Sequence, residues 1–254
     1  MQPPQPLRLE RVAPGRLQER ALALLDEAAA GRVARAALVH AAPALVLGSG
    51  QASETIDEAA CRRDGVVVVR RGSGGGAVLC DETLLEIDVA LPAGHPLAIA
   101  DVTASYAWLG GAWCTALATL GVAARTATLA DARGGPPERA AAGRVACFAS
   151  LVPHEVVTAD GRKVVGLAQR RRRGAVLLQC AVACAVSPAA VLRYVRLPTG
   201  LEAACSEALA ATACLAALGG PSAPDPVVGA IAAAVDGALA QEAARPPAGR
   251  HRAT

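Results

Sequence analysis

Lysine is almost absent from this chain. Among its 25 basic residues Lys163 alone is not an arginine, and asparagine does not occur at all. Aromatic side chains are equally scarce, with two Trp, two Tyr and one Phe. Nucleic-acid binding by base stacking needs several aromatic platforms, so that class is disfavoured and no nucleic-acid partner is expected. The eight cysteines (61, 80, 114, 147, 180, 184, 205 and 214) contain no C-x-x-C pair. Zinc-ribbon and thioredoxin-like readings are therefore excluded, free thiols in a reducing cytoplasm are expected, and no metal site is predicted. Cys180 and Cys184 share a strand face with no histidine nearby, which predicts core packing. No basic segment followed by an apolar one opens the chain. The most apolar stretch, Gly174 to Leu192, is interrupted by Gln179, Ser187 and Pro188, so no membrane partner is expected. The net charge of +3 selects no partner.

What is present is 53% hydrophobic over 254 residues, enough for one sizeable core. The retained lysine stands in Asp160-Gly161-Arg162-Lys163-Val164-Val165-Gly166. A bias toward Arg converts every lysine that serves only as a solvated charge, whereas a compact ammonium in a small pocket is not replaceable. That reasoning marks Lys163 as chemical, although one lysine can also survive by chance in a hairpin turn. A turn position implies that arginine at 163 leaves the fold intact.

Apolar residues at 17, 21, 24, 25 and 28 predict a helix ending before Gly31. Strands are predicted at 37–40 and 44–47, then a short helix from a Ser53 cap to Arg63, and a fully buried strand at 66–69. A strand follows at 84–91 and a helix from Asp101 to Gly121. Residues 125–144 lack a period and read as a long loop. Strands are expected at 145–150, 154–158, 163–170 and 175–186, with Asp160-Gly161 as a hairpin turn. Ser187-Pro188 begins a helix, and Ala-rich helices cover 201–218 and 226–244. Strands in succession with helices around them give an α+β class, a mixed and mainly antiparallel sheet flanked by helices. The domain reading is a main domain at 10–200, a helical extension at 201–245 and a disordered tail at 246–254.

Arg70-Arg71-Gly72-Ser73-Gly74-Gly75-Gly76-Ala77-Val78 follows the β-branched run. Successive glycines let main-chain N–H groups converge on an anion, or let a ligand chain lie on bare backbone. The following residues read as strand, which excludes a Rossmann loop, and the Walker Gly-Lys-Ser/Thr ending is missing. An ordinary glycine hairpin remains the plain alternative. Together with Gly161-Arg162-Lys163-Val164-Val165-Gly166-Leu167-Ala168 and with Ala44 to Gln51, this loop resembles the lipoate-protein ligase A family and its octanoyltransferase relatives.

The resemblance implies a biotin/lipoate ligase catalytic fold and attachment of lipoyl or octanoyl groups to a lysine of a lipoyl carrier domain, of 2-oxoacid dehydrogenase or glycine cleavage proteins. Lys163 then corresponds to the essential lysine beside the acyl carbonyl. Arg70, Arg71, Ser73, Gly74, Gly75, Gly76, Ala77, Gly166 and Ala168 form the substrate-binding set, with Arg70 near the carboxyl or phosphate end. Cys80 stands where the family commonly has His. Cys147 matches the octanoyltransferase nucleophile, though a cysteine in such an apolar run is also ordinary core. His154 is a further possible base or a structural residue. Three readings follow. The first is an ATP- and Mg²⁺-dependent ligase working through acyl-AMP on lipoate or octanoate. The second is a transferase taking octanoyl from acyl carrier protein through Cys147, and the third is a degenerate binding protein. The run Arg170–Arg173 suits docking of an acidic carrier at the rim of the site.

Overall fold

The computed structural model describes residues 7–134 and 138–244. The tail expected at 246–254 lies outside them. Ten strands, β1 (Leu9–Val12), β2 (Ala34–His40), β3 (Ala44–Leu47), β4 (Val67–Arg70), β5 (Val78–Cys80), β6 (Leu84–Pro92), β7 (Arg125–Thr126), β8 (Val156–Val157), β9 (Lys163–Arg172) and β10 (Ala175–Ala183), form two sheets. The larger has the order β1-β2-β6-β10-β9-β8-β7 and the smaller β4-β3-β5. Only β1 with β2 and β3 with β4 run parallel, so the sheet is mixed and mostly antiparallel.

Among the described residues seven α-helices surround them: α1 (Leu17–Ala29), α2 (Glu58–Arg63), α3 (Ala107–Thr119), α4 (Leu129–Arg133), α5 (Glu138–Val145), α6 (Glu202–Ala210) and α7 (Pro224–Ala243). The two-residue period of the strands decides which helix covers which face. Ala36, Leu38, Ala90 and Leu177 pack beneath Leu24, Leu25 and Ala28 of α1. Their neighbours Ala37, Val39, Leu91, Val176 and Leu178 point the other way, into a core with Leu109 and Trp113 of α3 and Val227 and Ile231 of α7. A second core gathers Leu45 and Leu47 with α2, α5 and α6 behind the small sheet. Among the described residues no helix is long and apolar enough to cross a membrane.

Several local expectations change. Val67 and Val68 are exposed at 46% and 39% because β4 is the edge of the small sheet, which defeats the buried-strand reading. α2 is capped by Asp57, whose side chain accepts from the Ala60 N–H, and Ser53 opens a separate 3-10 turn. The 125–144 segment holds β7, α4 and α5 rather than one loop, with Thr128 and Asp131 forming a reciprocal capping box. Residues 147–149 are a 3-10 turn, not a strand.

Candidate active site

The glycine loop between β4 and β5 is wedged main chain to main chain. A Cβ on Gly48 would stand 1.8 Å from the Gly75 carbonyl oxygen, and one on Gly76 would stand 2.6 Å from the Ala146 nitrogen. Gly75 also has φ +97°, a left-handed conformation that side chains resist. Ala77 donates to Val145 O at 2.9 Å and accepts from Cys147 N–H at 3.0 Å, locking the loop to the turn that carries Cys147. A Cβ at Gly75 would come within 3.3 Å of Cys147 Sγ, so the thiol lies directly on the loop.

Arg70 and Arg71 are spent on this architecture. Arg70 Nη1 donates to the carbonyls of Gly48 (2.8 Å) and Gln51 (2.5 Å). Arg71 donates to those of Val46 (3.2 Å), Gly74 (2.7 Å) and Gly76 (2.9 Å). The guanidinium that reaches over the loop from the opposite wall is Arg170 of β9, whose Nη1 would be 2.1 Å from a Cβ on Gly72. Arg170 Nη1 is buried with no hydrogen-bond partner, and so is the Ser73 hydroxyl. Buried polar groups are rarely left unpaired, and two in one cleft mark where a polar ligand end belongs.

Lys163 starts β9 and is 1% exposed. Its main chain is clamped on both sides, donating to Ala211 O and accepting from Ala213 N–H, each at 2.9 Å. Its ammonium pairs with Glu155 Oε1 at 2.8 Å and donates to Ser150 O at 2.9 Å and Cys147 O at 3.4 Å. Glu155 is itself held by the N–H groups of Leu167 and Val152, each at 2.9 Å. The Phe148 ring centroid lies 5.3 Å from Nζ. Gly166 opens this arrangement to the cleft, since a Cβ there would sit 3.5 Å from Lys163 Cε. His154 lies in a turn with φ 71°, off the strand expected for it.

These elements border a cleft open to solvent. Ser73, Cys147, Gly166, Ala168 and Arg170 line it, with Leu17, Val46, Val78 and Leu167 making the sides apolar. At its floor stand Cys80, Glu86 and Asp88. Burial, with the Glu86 charge adding to it, raises the Asp88 carboxyl to about 8. Six cysteines are buried; Cys147 and Cys114 are half-buried, and of those two only Cys147 borders the cleft. An apolar cleft lined by a thiol and unpaired donors, with the Lys163 ammonium buried just behind Gly166, fits a chain-like acyl group with a polar, reacting end.

Residues 15–214 match the lipoyl protein ligase A/B catalytic domain. The chain belongs to that family. Curated members that resemble it include octanoyltransferase LipM of Moorella thermoacetica, 38% identical over 136 residues that make up 53% of this chain and 47% of that protein. Octanoyltransferase LipM of Kyrpidia tusciae is 33% identical over 158 residues, 62% of this chain and 56% of that one. The chain thus spans about half the length of the curated relatives it matches. Its lipoate ligase fold is shared with a bi-partite lipoate protein ligase from Thermoplasma acidophilum, at TM-score 0.67 and 21% identity over 92% of this chain and 84% of that one. A lipoate-protein ligase A solved with ATP gives TM-score 0.68 and 18% identity over 93% of this chain and 86% of that one.

Glu155 and Arg170 escaped the sequence reading as individual site residues. Glu155 was hidden because its partner lies across a hairpin, and Arg170 because it opens a run of four arginines that reads as solvated charge.

Proposed function

We propose that the protein transfers an octanoyl group from acyl carrier protein to a lysine of a lipoyl carrier domain, with Cys147 as the covalent relay. The observation that carries this reading is the half-buried Cys147 thiol on the glycine loop at the mouth of an apolar cleft, with its own carbonyl touching the Lys163 ammonium. Relatives named as octanoyltransferases favour the same choice. The Cys147 thiolate attacks the thioester carbonyl, a new C–S bond forms, and the carrier thiolate leaves with the proton that Cys147 gave up. The acceptor amine then attacks the Cys147 thioester, an amide forms, and its proton returns to the Cys147 sulfur.

Lys163 acts on the oxyanion of both steps. Two of its N–H bonds are short and fixed, while the 3.4 Å contact to Cys147 O is the weak one, free to turn toward developing charge. Gly166 leaves the line of approach clear. Arg170 and Ser73, unpaired beside the loop, hold the polar part of the donor. Arg171 is held by Gln169 and the Ile99 carbonyl, and the exposed Arg172 and Arg173 beyond it suit an acidic carrier.

A second reading keeps the family's ATP-dependent route, in which acyl-AMP forms with Mg²⁺ and Cys147 only packs. Arg170 and the loop N–H groups suit a phosphate, and nucleotide chemistry would supply the activated acyl donor. The engagement of Arg70 and Arg71 on carbonyls leaves fewer guanidinium donors for a triphosphate, which favours the transferase. The test is to offer an apo lipoyl domain either octanoyl-acyl carrier protein or octanoate with ATP and Mg²⁺, and to weigh both proteins. The transferase predicts an octanoyl adduct on Cys147 that chases onto the domain and disappears in Cys147→Ser. Near-normal modification by Cys147→Ser, with ATP required, would overturn it in favour of the ligase.

A further inference from the structure

The floor of the cleft holds chemistry that the acyl-transfer reading does not use. His40 ends β2, Cys80 ends β5 and Glu86 lies in β6, and one ligand atom from each falls within 4.8 Å of the others. Among the described residues this is the one group of three or more His, Cys, Asp or Glu so placed. His40 and Cys80 are 0% and 1% exposed, and both reach the same carboxylate oxygen. His40 Nε2 is 3.2 Å from Glu86 Oε1 and Cys80 Sγ is 3.5 Å from it.

As a hydrogen-bonded trio the arrangement puts both neighbours on one carboxylate oxygen and leaves His40 Nδ1 without a partner. As a ligand set its N–O and O–S edges are well proportioned, and its N–S edge lies within 4.8 Å. Zinc bonds of about 2.0 Å to nitrogen and oxygen and about 2.3 Å to sulfur set the tetrahedral N–O and O–S edges at roughly 3.3 and 3.5 Å. The separations here are 3.2 and 3.5 Å. The charges also balance, since a thiolate and a carboxylate neutralise one divalent cation around a neutral imidazole.

We propose that His40 Nε2, Cys80 Sγ and Glu86 Oε1 bind one borderline-soft divalent cation of the zinc class, with the fourth position open to the cleft. Binding displaces the Cys80 proton to solvent and forms the metal–sulfur bond. Cys80 and Glu86 border the cleft, so water or the far end of a bound ligand completes the tetrahedron. The ion joins the larger sheet, through β2 and β6, to the smaller one, through β5. It therefore ties the two walls of the cleft together at its base. This assignment is independent of which acyl donor the protein uses.

The test uses the full chain, freed of metal by chelation, and titrates it with Zn²⁺ and separately with Co²⁺. One equivalent is expected to remain after desalting. The cobalt form should show a thiolate-to-metal charge-transfer band and the intense visible bands of four-coordinate cobalt. Cys80→Ser and Glu86→Gln should each weaken binding by at least roughly tenfold, while Cys184→Ser, elsewhere in the core, should not. Wild-type protein supplies a readout that needs no variant to fold: Zn²⁺ should raise its thermal midpoint, as binding to the native state alone must. Cobalt binding without the thiolate band, stoichiometric zinc retained by Cys80→Ser, or a thermal midpoint unmoved by excess zinc would each overturn the site.

Discussion

Replacing Lys163 with Met removes the ammonium while keeping side-chain length, and its cost follows from Glu155. That carboxylate is 2% exposed and would keep the N–H groups of Leu167 and Val152 but lose its counter-ion at 2.8 Å. Removing one partner of a buried ion pair costs about 3–5 kcal/mol. At roughly 2–4 °C per kcal/mol for a domain of this size, the thermal midpoint should fall by about 6–20 °C. Most domains have about 5–15 kcal/mol in hand, so the variant should still fold in the cold and can be assayed there. Glu155→Gln supplies the other corner of a double-mutant cycle. Its amide offers one acceptor where two N–H groups donate, so by itself it costs about 1–3 kcal/mol. The double variant should be less destabilised than the sum of the two by about 1–3 kcal/mol, because no charge is left alone. Urea unfolding with constant m-values measures all four corners, and acyl transfer by the two Lys163 variants should be lost. Additive energies, or a Lys163→Met loss under about 1 kcal/mol, would refute the buried-pair reasoning. The same burial corrects the expectation from the turn that arginine at 163 leaves the fold intact. A longer side chain at a 1% exposed position must overpack, at about 1–3 kcal/mol.

Gly76→Ala should cost at least about 1–3 kcal/mol and displace the Cys147 turn, because its Cβ meets backbone atoms of residues 143, 145 and 146 within 2.8 Å. Urea unfolding reads the loss of stability, and slower reaction of Cys147 with a thiol reagent reads the shift. The Asp131 carboxyl is held well below the usual range, first by Arg125 and then by Thr128. A depressed pKa contributes stability above the unfolded value of about 3.9 and loses it as pH falls through the folded one. Asp131→Asn should therefore lower the thermal midpoint by more at neutral pH than near pH 2, where part of the contribution is already lost, and equal deficits at both pH values would exclude this linkage. Ser73→Ala should leave stability nearly unchanged, since the hydroxyl has no partner to lose, but weaken donor binding in a titration.

The parts of the candidate site legible in the sequence are those with a local signature. The glycine loop, Lys163 and Cys147 each stood out by type or run, and β3 at 44–47 matched its predicted bounds. Elements with a clean period, such as α1, were equally visible. What stayed hidden depends on distance along the chain. His40, Cys80 and Glu86 share no spacing and meet only because β2, β5 and β6 converge. Val67 and Val68 have the composition of a core strand, and no local feature tells that their strand is an edge. The Thr128–Asp131 cap was a readable start signal, outweighed by the Gly, Pro and Ala around it.

With its sole lysine buried, the protein shows solvent no lysine amine of its own. Arginine stays charged at any ordinary pH and does not attack acyl donors. Under the proposed transferase function, a surface cationic through arginine can therefore attract an acidic, acyl-bearing carrier without becoming the acceptor. The proposed acyl transfer needs electrostatic recruitment and chemical inertness together, which conflict when the surface cations are lysines, and here the choice of cation separates them.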